Sequence, residues 1–139
     1  MKLFQSMAIS ASSLTAERLR MDLISSNIAN INTTRTEDGG PYKKKVAIFQ
    51  EQLERKINGQ NVGSGVKVAA VEEAKTPPKM IYDPGHPDAN KDGYVAMPNI
   101  NIVNEMVDLI STTRAYEANV TVLNASKTMA IKALTIGRG

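Results

Sequence analysis

The two ends of this chain constrain its fold most, because each is a long segment without glycine or proline: residues 1–31 and residues 99–136. In the first segment, apolar residues recur in alternating steps of four and three, which is the spacing of a helix that packs lengthwise against another helix. The stepped positions are Leu3, Met7, Ser10, Leu14, Glu17, Met21, Ile24, Ile28 and Ile31. We therefore predict an N-terminal helix over residues 1–31, in which Ser10 and Glu17 interrupt the apolar stripe.

The C-terminal segment repeats the same spacing more regularly. Asn101 is suited to cap a helix start, Glu105 would lie in the first turn, where its charge favours the helix dipole, and Gly137 follows as a stop. The stepped positions are Ile102, Met106, Leu109, Thr113, Tyr116, Val120, Leu123, Lys127, Ala130 and Leu134. We predict a helix from about Asn101 to Ile136, which is about 50 Å long at 1.5 Å per residue.

The middle segment, residues 32–98, has a different composition and holds all six prolines and seven of the nine glycines. Short alternating runs separated by turn residues such as Asn58–Gly59 predict strands. These runs are Tyr42–Phe49, Val66–Val71, Lys79–Tyr82 and Gly93–Met97. The sequence therefore predicts a fold that is α+β but mainly α, an elongated coiled-coil-like helix pair with a small irregular β-rich insert that leans on the helices. Its three parts are residues 1–31, 32–98 and 99–139.

Charge and composition exclude several classes of protein. The net charge is +3, and the charged residues are interspersed apart from Lys43–Lys45. Nucleic-acid interfaces concentrate basic residues on one face, so we expect no nucleic-acid partner and interpret the three lysines as a solvated strand edge. The chain has no cysteine, and no run approaches the roughly 20 apolar residues of a membrane-spanning helix. The N-terminal segment also lacks the apolar stretch of a secretory signal, so we expect a cytosolic protein or one exported without cleavage.

Two short sequences in the middle segment are candidates for chemistry, and both are incomplete. His86 lies between two prolines, and the nucleophile and carboxylate of a catalytic triad are not visible around it. Residues 88–93 match the first half of an EF-hand calcium loop, but the twelfth position is Asn99 where the loop needs a glutamate. A tight turn stabilised by Asp and Asn side chains explains the same residues. We predict neither an enzyme nor a cofactor or metal site.

The two predicted helices leave two alternatives open. They can form an ordinary antiparallel hairpin that closes one monomer. They can also pair internally and pack against neighbouring copies, so that subunits polymerise through head-to-tail contacts. Ile9, Leu19 and Leu23 lie off the N-terminal stripe and need a second partner. A helix with so many serines and asparagines is also only marginally stable alone, so folding on assembly fits the second alternative.

Two continuous stretches carry specific motifs. Leu14–Thr33 matches S-x-L-x-A followed by R-M/L-D-x-I-x-x-N-I/L-A-N-x-N/D-T, and Asn104–Val120 matches E-M-V-x-L-I-x-x-x-R-x-Y-E/Q-A-N. In both stretches the chain resembles the flagellar rod and hook family. Its short length and the sequence Asp83–Ala89, followed by Gly93–Val95, resemble the proximal-rod members of that family. Thr34–Arg35 replaces the Gly–Tyr of many broader members, which fits this short type.

The resemblance implies a structural subunit of the proximal rod, part of the drive shaft that transmits motor torque across the cell envelope. The implied partners are other copies of the chain, neighbouring flagellar rod proteins and the flagellar type III export apparatus. Export by that route would place the chain in the basal body without a cleaved signal peptide. The alternative from another class is a soluble helical adaptor that never polymerises.

The helical stripes also predict an assembly interface, although the sequence does not separate contacts within a subunit from contacts between subunits. Its residues are Leu14, Met21, Ile24, Ile28, Ile31, Met106, Leu109, Tyr116, Val120, Leu123 and Leu134. Four charged residues beside the stripes, Arg18, Asp22, Arg114 and Glu117, are candidates for ion pairs that fix the helix register. A solvated helix face is an equally good interpretation where these residues are exposed.

Overall fold

The computed structural model describes residues 2–55 and 61–137, and it confirms the predicted fold class. A long helix stands at each end of the chain, and four strands lie between them. The elements in chain order are α1 (Lys2–Ala29), β1 (Lys45–Arg55), β2 (Asn61–Glu73), β3 (Lys79–Tyr82), β4 (Tyr94–Met97) and α2 (Ile102–Ile136). The predicted turn at Asn58–Gly59 lies outside the described residues.

The two helices pack against each other in antiparallel orientation. Met21 on α1 contacts Thr113 on α2, and Ser13 contacts Asn119, so positions that face each other have numbers adding to between 132 and 134. The start of α2 follows the sequence prediction. The Asn101 side chain accepts hydrogen bonds from the backbone N–H groups of Val103 and Asn104 at 2.9 and 3.3 Å, so it satisfies donors that have no partner within the helix.

The insert consists of two separate antiparallel hairpins, β1–β2 and β3–β4. Strand β3 has the predicted bounds and β4 begins one residue later than predicted. Strands β1 and β2 are longer than the predicted runs, with 11 and 13 residues, and their register shifts twice. The apolar alternation fades after Phe49, but the backbone ladder continues because each strand supplies hydrogen-bonding partners to the other.

The β1–β2 hairpin rests on the side of α1 that α2 leaves uncovered. The Ser12 hydroxyl oxygen of α1 accepts a hydrogen bond from the backbone N–H of Val66 at 3.1 Å. Leu23 of α1 lines a shallow cavity together with Val46 and Phe49 of β1. The β1–β2 hairpin therefore leans on α1, in line with the prediction for the insert, and it supplies a second partner for Leu23, one of the off-stripe residues.

The apolar core is small for a chain of this size. Among the residues whose burial the structure describes, the buried apolar side chains are Ala16, Ile24, Tyr42 and Val95. The accessible surface of the chain is 10154 Å², whereas a compact monomer of this mass exposes about 7,100 Å² by the usual scaling. The chain thus exposes roughly 3,000 Å² more surface than a compact domain of its mass.

The predicted α2 stripe consists of two rows of residues spaced seven apart. The face of α2 that meets α1 differs from this stripe in one of the two rows. The buried α2 residues are Glu105, Thr112 and Ser126, and half-buried residues lie between them. The centre of the seam is therefore formed on the α2 side by Glu105, Leu109, Thr112, Tyr116, Asn119, Leu123, Ser126 and Ala130. Leu109, Tyr116, Leu123 and Ala130 belong to the predicted stripe. Of the other predicted row, Thr113 contacts Met21 and Val120 is half-buried at the edge of the seam, whereas Met106 and Lys127 are exposed.

Four residues of the predicted α2 stripe are exposed: Ile102, Met106, Lys127 and Leu134. Met106 is turned away because Glu105, its neighbour, occupies the inward position through a polar network described below. Leu134 is 72% exposed because the antiparallel register would pair it with a position before the start of α1 at Lys2. The final turns of α2 therefore extend past α1.

Candidate assembly interface

The first turns of α2 carry an exposed apolar surface, which we call the outer face: Val103, Met106, Val107 and Ile110. Residues at spacings of three, four and seven lie on one side of a helix. The side chains of these four are between 54% and 62% exposed. Val103 and Val107 each lie two residues from the buried Glu105, about 160° around the helix from it. The outer face thus points away from α1.

A second exposed apolar surface lies at the opposite end of α2, which we call the C-terminal extension. Its exposed members are Met129, Ile131, Leu134 and Ile136. Here the seam continues beyond the start of α1, so Leu134 holds a seam position without a partner from α1. Exposed apolar residues grouped in this way mark interaction surfaces more often than single ones do.

The residues of the predicted interface fall into two groups in the structure. Ile24 is buried, and most of the others are half-buried within the monomer: Leu14, Met21, Ile28, Ile31, Leu109, Tyr116, Val120 and Leu123. Met106 and Leu134 are exposed and belong to the outer face and the C-terminal extension. The structure therefore brings most of the predicted set into the monomer's own fold, and any contact between subunits remains a prediction.

The four candidate register charges are all exposed. Arg114 and Glu117 form an ion pair at 3.7 Å within one turn of α2, with side chains 80% and 62% exposed. A pair of this kind contributes about 0–1 kcal/mol, and it joins two residues of the same helix. Within the monomer it therefore does not set the α1–α2 register, and a role between subunits remains a prediction for all four residues.

A buried polar network, which we call the junction cluster, joins α1, the start of β1 and the start of α2. Glu105 is 1% exposed, and its carboxylate contacts the ammonium group of Lys44 at 2.5 Å. The Asn27 amide nitrogen donates to Glu105 at 3.2 Å and to the backbone carbonyl of Lys45 at 3.0 Å. The Asn27 amide oxygen accepts from the Tyr42 hydroxyl and from the backbone N–H of Lys45. Asn27 thereby satisfies both backbone groups of the first β1 residue.

The junction cluster is not evident from the sequence because its members lie far apart in the chain. From sequence alone, the helix dipole explains Glu105 and a solvated strand edge is predicted for Lys44. The solvated-edge interpretation is wrong for Lys44, whose side chain is only 31% exposed and pairs with Glu105. The available signal was the surroundings of Glu105, since a carboxylate flanked by Val103 and Val107 on a mainly apolar helix is rarely buried without a cation.

The Asp- and Asn-rich sequence of residues 88–93 forms a tight turn. The Asn90 side-chain oxygen accepts from the backbone N–H groups of Asp92 and Tyr94, and Gly93 has φ of 81°. Strand β4 occupies part of the second half of the twelve positions that an EF-hand loop would span. His86 lies in the preceding turn, and its ring nitrogen accepts from the backbone N–H of Asp88.

Residues 2–55 and 61–137 offer neither a metal site nor a membrane-spanning helix. No group of three or more His, Asp or Glu side chains in this part of the chain could hold a metal ion. No helix there is both long and apolar enough to cross a membrane.

Both helical ends match known protein families. Residues 7–35 match the family model described as flagella basal body rod protein. Residues 91–136 match the model described as flagellar basal body rod FlgEFG protein C-terminal. These two regions contain nearly all of α1 and all of α2, so the class of protein that the helix pair defines is that of the flagellar rod proteins.

Relatives similar over the whole length narrow this class. The chain is 48% identical to the flagellar basal-body rod protein FlgC of Borreliella burgdorferi, with all of both chains covered. It is 47% identical to FlgC of Bacillus subtilis over 99% of this chain and 100% of the relative. Identity to FlgC of Salmonella typhimurium is 44% over 94% of each chain. The chain belongs to the FlgC family of flagellar basal-body rod proteins.

Proposed function

We propose that this chain is a structural subunit of the proximal rod and that it polymerises with other rod proteins into the shaft that carries motor torque. The observation that supports this most directly is the exposed outer face of α2, combined with membership of the FlgC family. Four apolar side chains on one side of a helix are costly to leave in water, at about 25 cal/mol per Å². Burial against neighbouring subunits would recover that free energy.

The dimensions of α2 suit a shaft under torsion. Its 35 residues span about 52 Å at 1.5 Å per residue, so its outer face and its C-terminal extension lie at opposite ends of a long element. A neighbour that engaged both surfaces would distribute a twisting load over many apolar contacts. Such contacts must fail together before the subunits slide. Two different surfaces on one chain also suit head-to-tail growth, which gives an open helical filament when the rotation between subunits does not close a ring.

The proposal also covers the partners and the route to the rod. We propose that the partners are other copies of the chain and neighbouring rod proteins, and that the flagellar type III export apparatus delivers it without cleavage of a signal peptide. We propose no catalytic role, because the family is one of rod proteins and the single histidine uses its ring nitrogen to hold a turn. The non-polymerising adaptor has no comparable support.

The decisive experiment places a charge on the outer face. The gene is replaced in its own bacterium by a Val107→Asp version, and swimming and the chain's presence in purified basal bodies are measured. Because Val107 is 60% exposed in the monomer, we expect the isolated variant to keep its helix content while rod incorporation falls at least about tenfold, since an unpaired charge in an apolar contact costs several kcal/mol.

The control is Asn124→Asp, which adds the same charge at an exposed polar position of α2. We expect this strain to swim and to incorporate the chain normally. Normal swimming of the Val107→Asp strain would remove the outer face from the assembly surface. Finding the parent chain only in the cytosol of swimming cells would favour the adaptor over the rod subunit.

A further inference from the structure

If α2 were rotated about its own axis, it could bury more apolar side chains against α1 than it does in the structure. The inward row that distinguishes the observed seam is Glu105, Thr112, Asn119 and Ser126, and every member is polar. A turn of roughly 50° about the helix axis would centre the row of Met106, Thr113, Val120 and Lys127 instead. That turn would bury the exposed Met106 and cover Val120 further, which in the observed structure is half-buried at the edge of the seam. The shared row of Leu109, Tyr116, Leu123 and Ala130 would stay at the seam in both cases. Something other than apolar burial must select the observed rotation.

The junction cluster supplies that selection at the first turn of α2. Glu105 is held from two sides, by Lys44 from the strand side and by Asn27 from α1. The Glu105 carboxylate cannot leave this position without separating from the Lys44 ammonium group in a buried environment, where an unpaired charge is costly. The Asn27 side chain is itself held in place by hydrogen bonds to the N–H and the carbonyl of Lys45. Its amide nitrogen is therefore already oriented to donate to the Glu105 carboxylate.

Further along the seam, polar side chains are compatible with this rotation but hold it only weakly. The Asn119 amide nitrogen donates to the Ser13 hydroxyl at 3.1 Å. The Thr112 hydroxyl donates to the backbone carbonyl of Asp108, four residues earlier on the same helix. A threonine satisfied within its own helix gives no preference for a partner. The charged contact at Glu105 is therefore the strongest rotational constraint among the contacts described for α2.

We infer that Glu105 is a positioning residue: its ion pair with Lys44 and its hydrogen bond from Asn27 fix the rotation of α2 and so keep Met106 and the rest of the outer face directed away from α1. Without this contact, α2 turns to bury Met106, and the outer face is partly lost. The inference rests on the proposed function only where it treats the outer face as an assembly surface. A buried ionic group that specifies one arrangement at little gain in stability has precedent in helical proteins.

The test measures the rotation directly by thiol labelling of the isolated full-length chain, which contains no natural cysteine. Single cysteines are introduced as Met106→Cys, at an exposed position, and Thr112→Cys, at a position 1% exposed. We expect a maleimide reagent to label position 106 at least about tenfold faster than position 112, because labelling of a buried site requires local opening. Equal labelling rates at positions 106 and 112 in the chain that retains Glu105 would overturn the inference at once.

Glu105→Ser is then added to each cysteine variant. This change removes the charge without placing an apolar side chain at the inward position, and it leaves Lys44, whose side chain is 31% exposed, able to reach water. We expect the ratio of the two labelling rates to fall to about one or to invert. A stabilising role alone would predict a lower melting temperature with the ratio retained.

A second variant and a control complete the design. Glu105→Gln keeps the shape and an acceptor for Asn27, so it decides the question if Glu105→Ser loses its helix content; we expect an intermediate ratio. Glu117→Ser removes an exposed charge from the same helix and should leave the ratio unchanged. A parental ratio in both folded Glu105 variants would overturn the inference. The readout needs no assembly, so failure of the proposed rod function would not be mistaken for failure of this inference.

Discussion

At the scale of single residues, close approach of backbones decides where β2 can sit on α1. Gly65 has φ of 136°, a conformation that side chains rarely adopt. A Cβ atom added there would overlap the Ser12 hydroxyl oxygen and lie 3.1 Å from the Ser12 Cβ. The neighbouring N–H of Val66 donates to that same hydroxyl. Glycine is therefore required at this position both by its backbone angle and by its neighbour.

A substitution at Gly65 tests this requirement. We expect Gly65→Ala to lower the free energy of unfolding by about 2–4 kcal/mol, the sum of a strained backbone and a displaced helix contact. The matched control is Gly39→Ala, because Gly39 also has positive φ, 81°, but nothing within 4 Å of the added Cβ. The control should lose only about 1 kcal/mol. If Gly65→Ala and Gly39→Ala lost the same free energy of unfolding in urea denaturation, the Ser12 contact would contribute nothing.

At the scale of elements, the seam and the C-terminal extension belong to the same helix but should respond differently to a charge. Leu123 is half-buried at the seam, whereas Leu134 is exposed beyond the start of α1. We expect Leu123→Asp to reduce the helix content and stability of the isolated chain and to abolish rod incorporation, since a charge in a seam costs several kcal/mol. Leu134→Asp should leave the isolated chain unchanged and impair incorporation alone.

Circular dichroism of the isolated variants and immunoblots of basal bodies separate these outcomes. Loss of helix content in Leu134→Asp would mean that the extension packs on its own chain. Normal swimming with Leu123→Asp would remove Leu123 from every essential contact.

The presence of the helices and strands could be predicted from the sequence, whereas the rotation of α2 about its axis could not. Freedom from glycine and proline, together with Asn101 and Gly137 at the ends, set the length of α2 to within a residue. Periodicity could not choose between Glu105 and Met106, because apolar residues occur on every side of this helix. That choice depends on Lys44 and Asn27, which are far from Glu105 in sequence and meet it only in the fold.

At the scale of the whole molecule, the small core and the large exposed surface predict a chain that is only marginally stable alone. The free energy gained by burying a few apolar side chains must offset the conformational entropy lost when two long helices are ordered. We expect the melting temperature of the isolated chain to rise with protein concentration, because association stabilises the folded form by mass action. The Val107→Asp variant should weaken this dependence. A high melting temperature independent of concentration would instead describe a self-sufficient monomer.

The antiparallel seam also sets an order in which the chain can acquire structure. Ser13 meets Asn119 across a loop of 106 residues, and contacts of such high sequence separation form late because the entropy of loop closure must be overcome first. Each hairpin is local and can form as soon as its own residues are free. If the chain is exported through a narrow conduit, as proposed, its helix pair cannot close until nearly all of it has emerged, and the completed fold would form only at the destination.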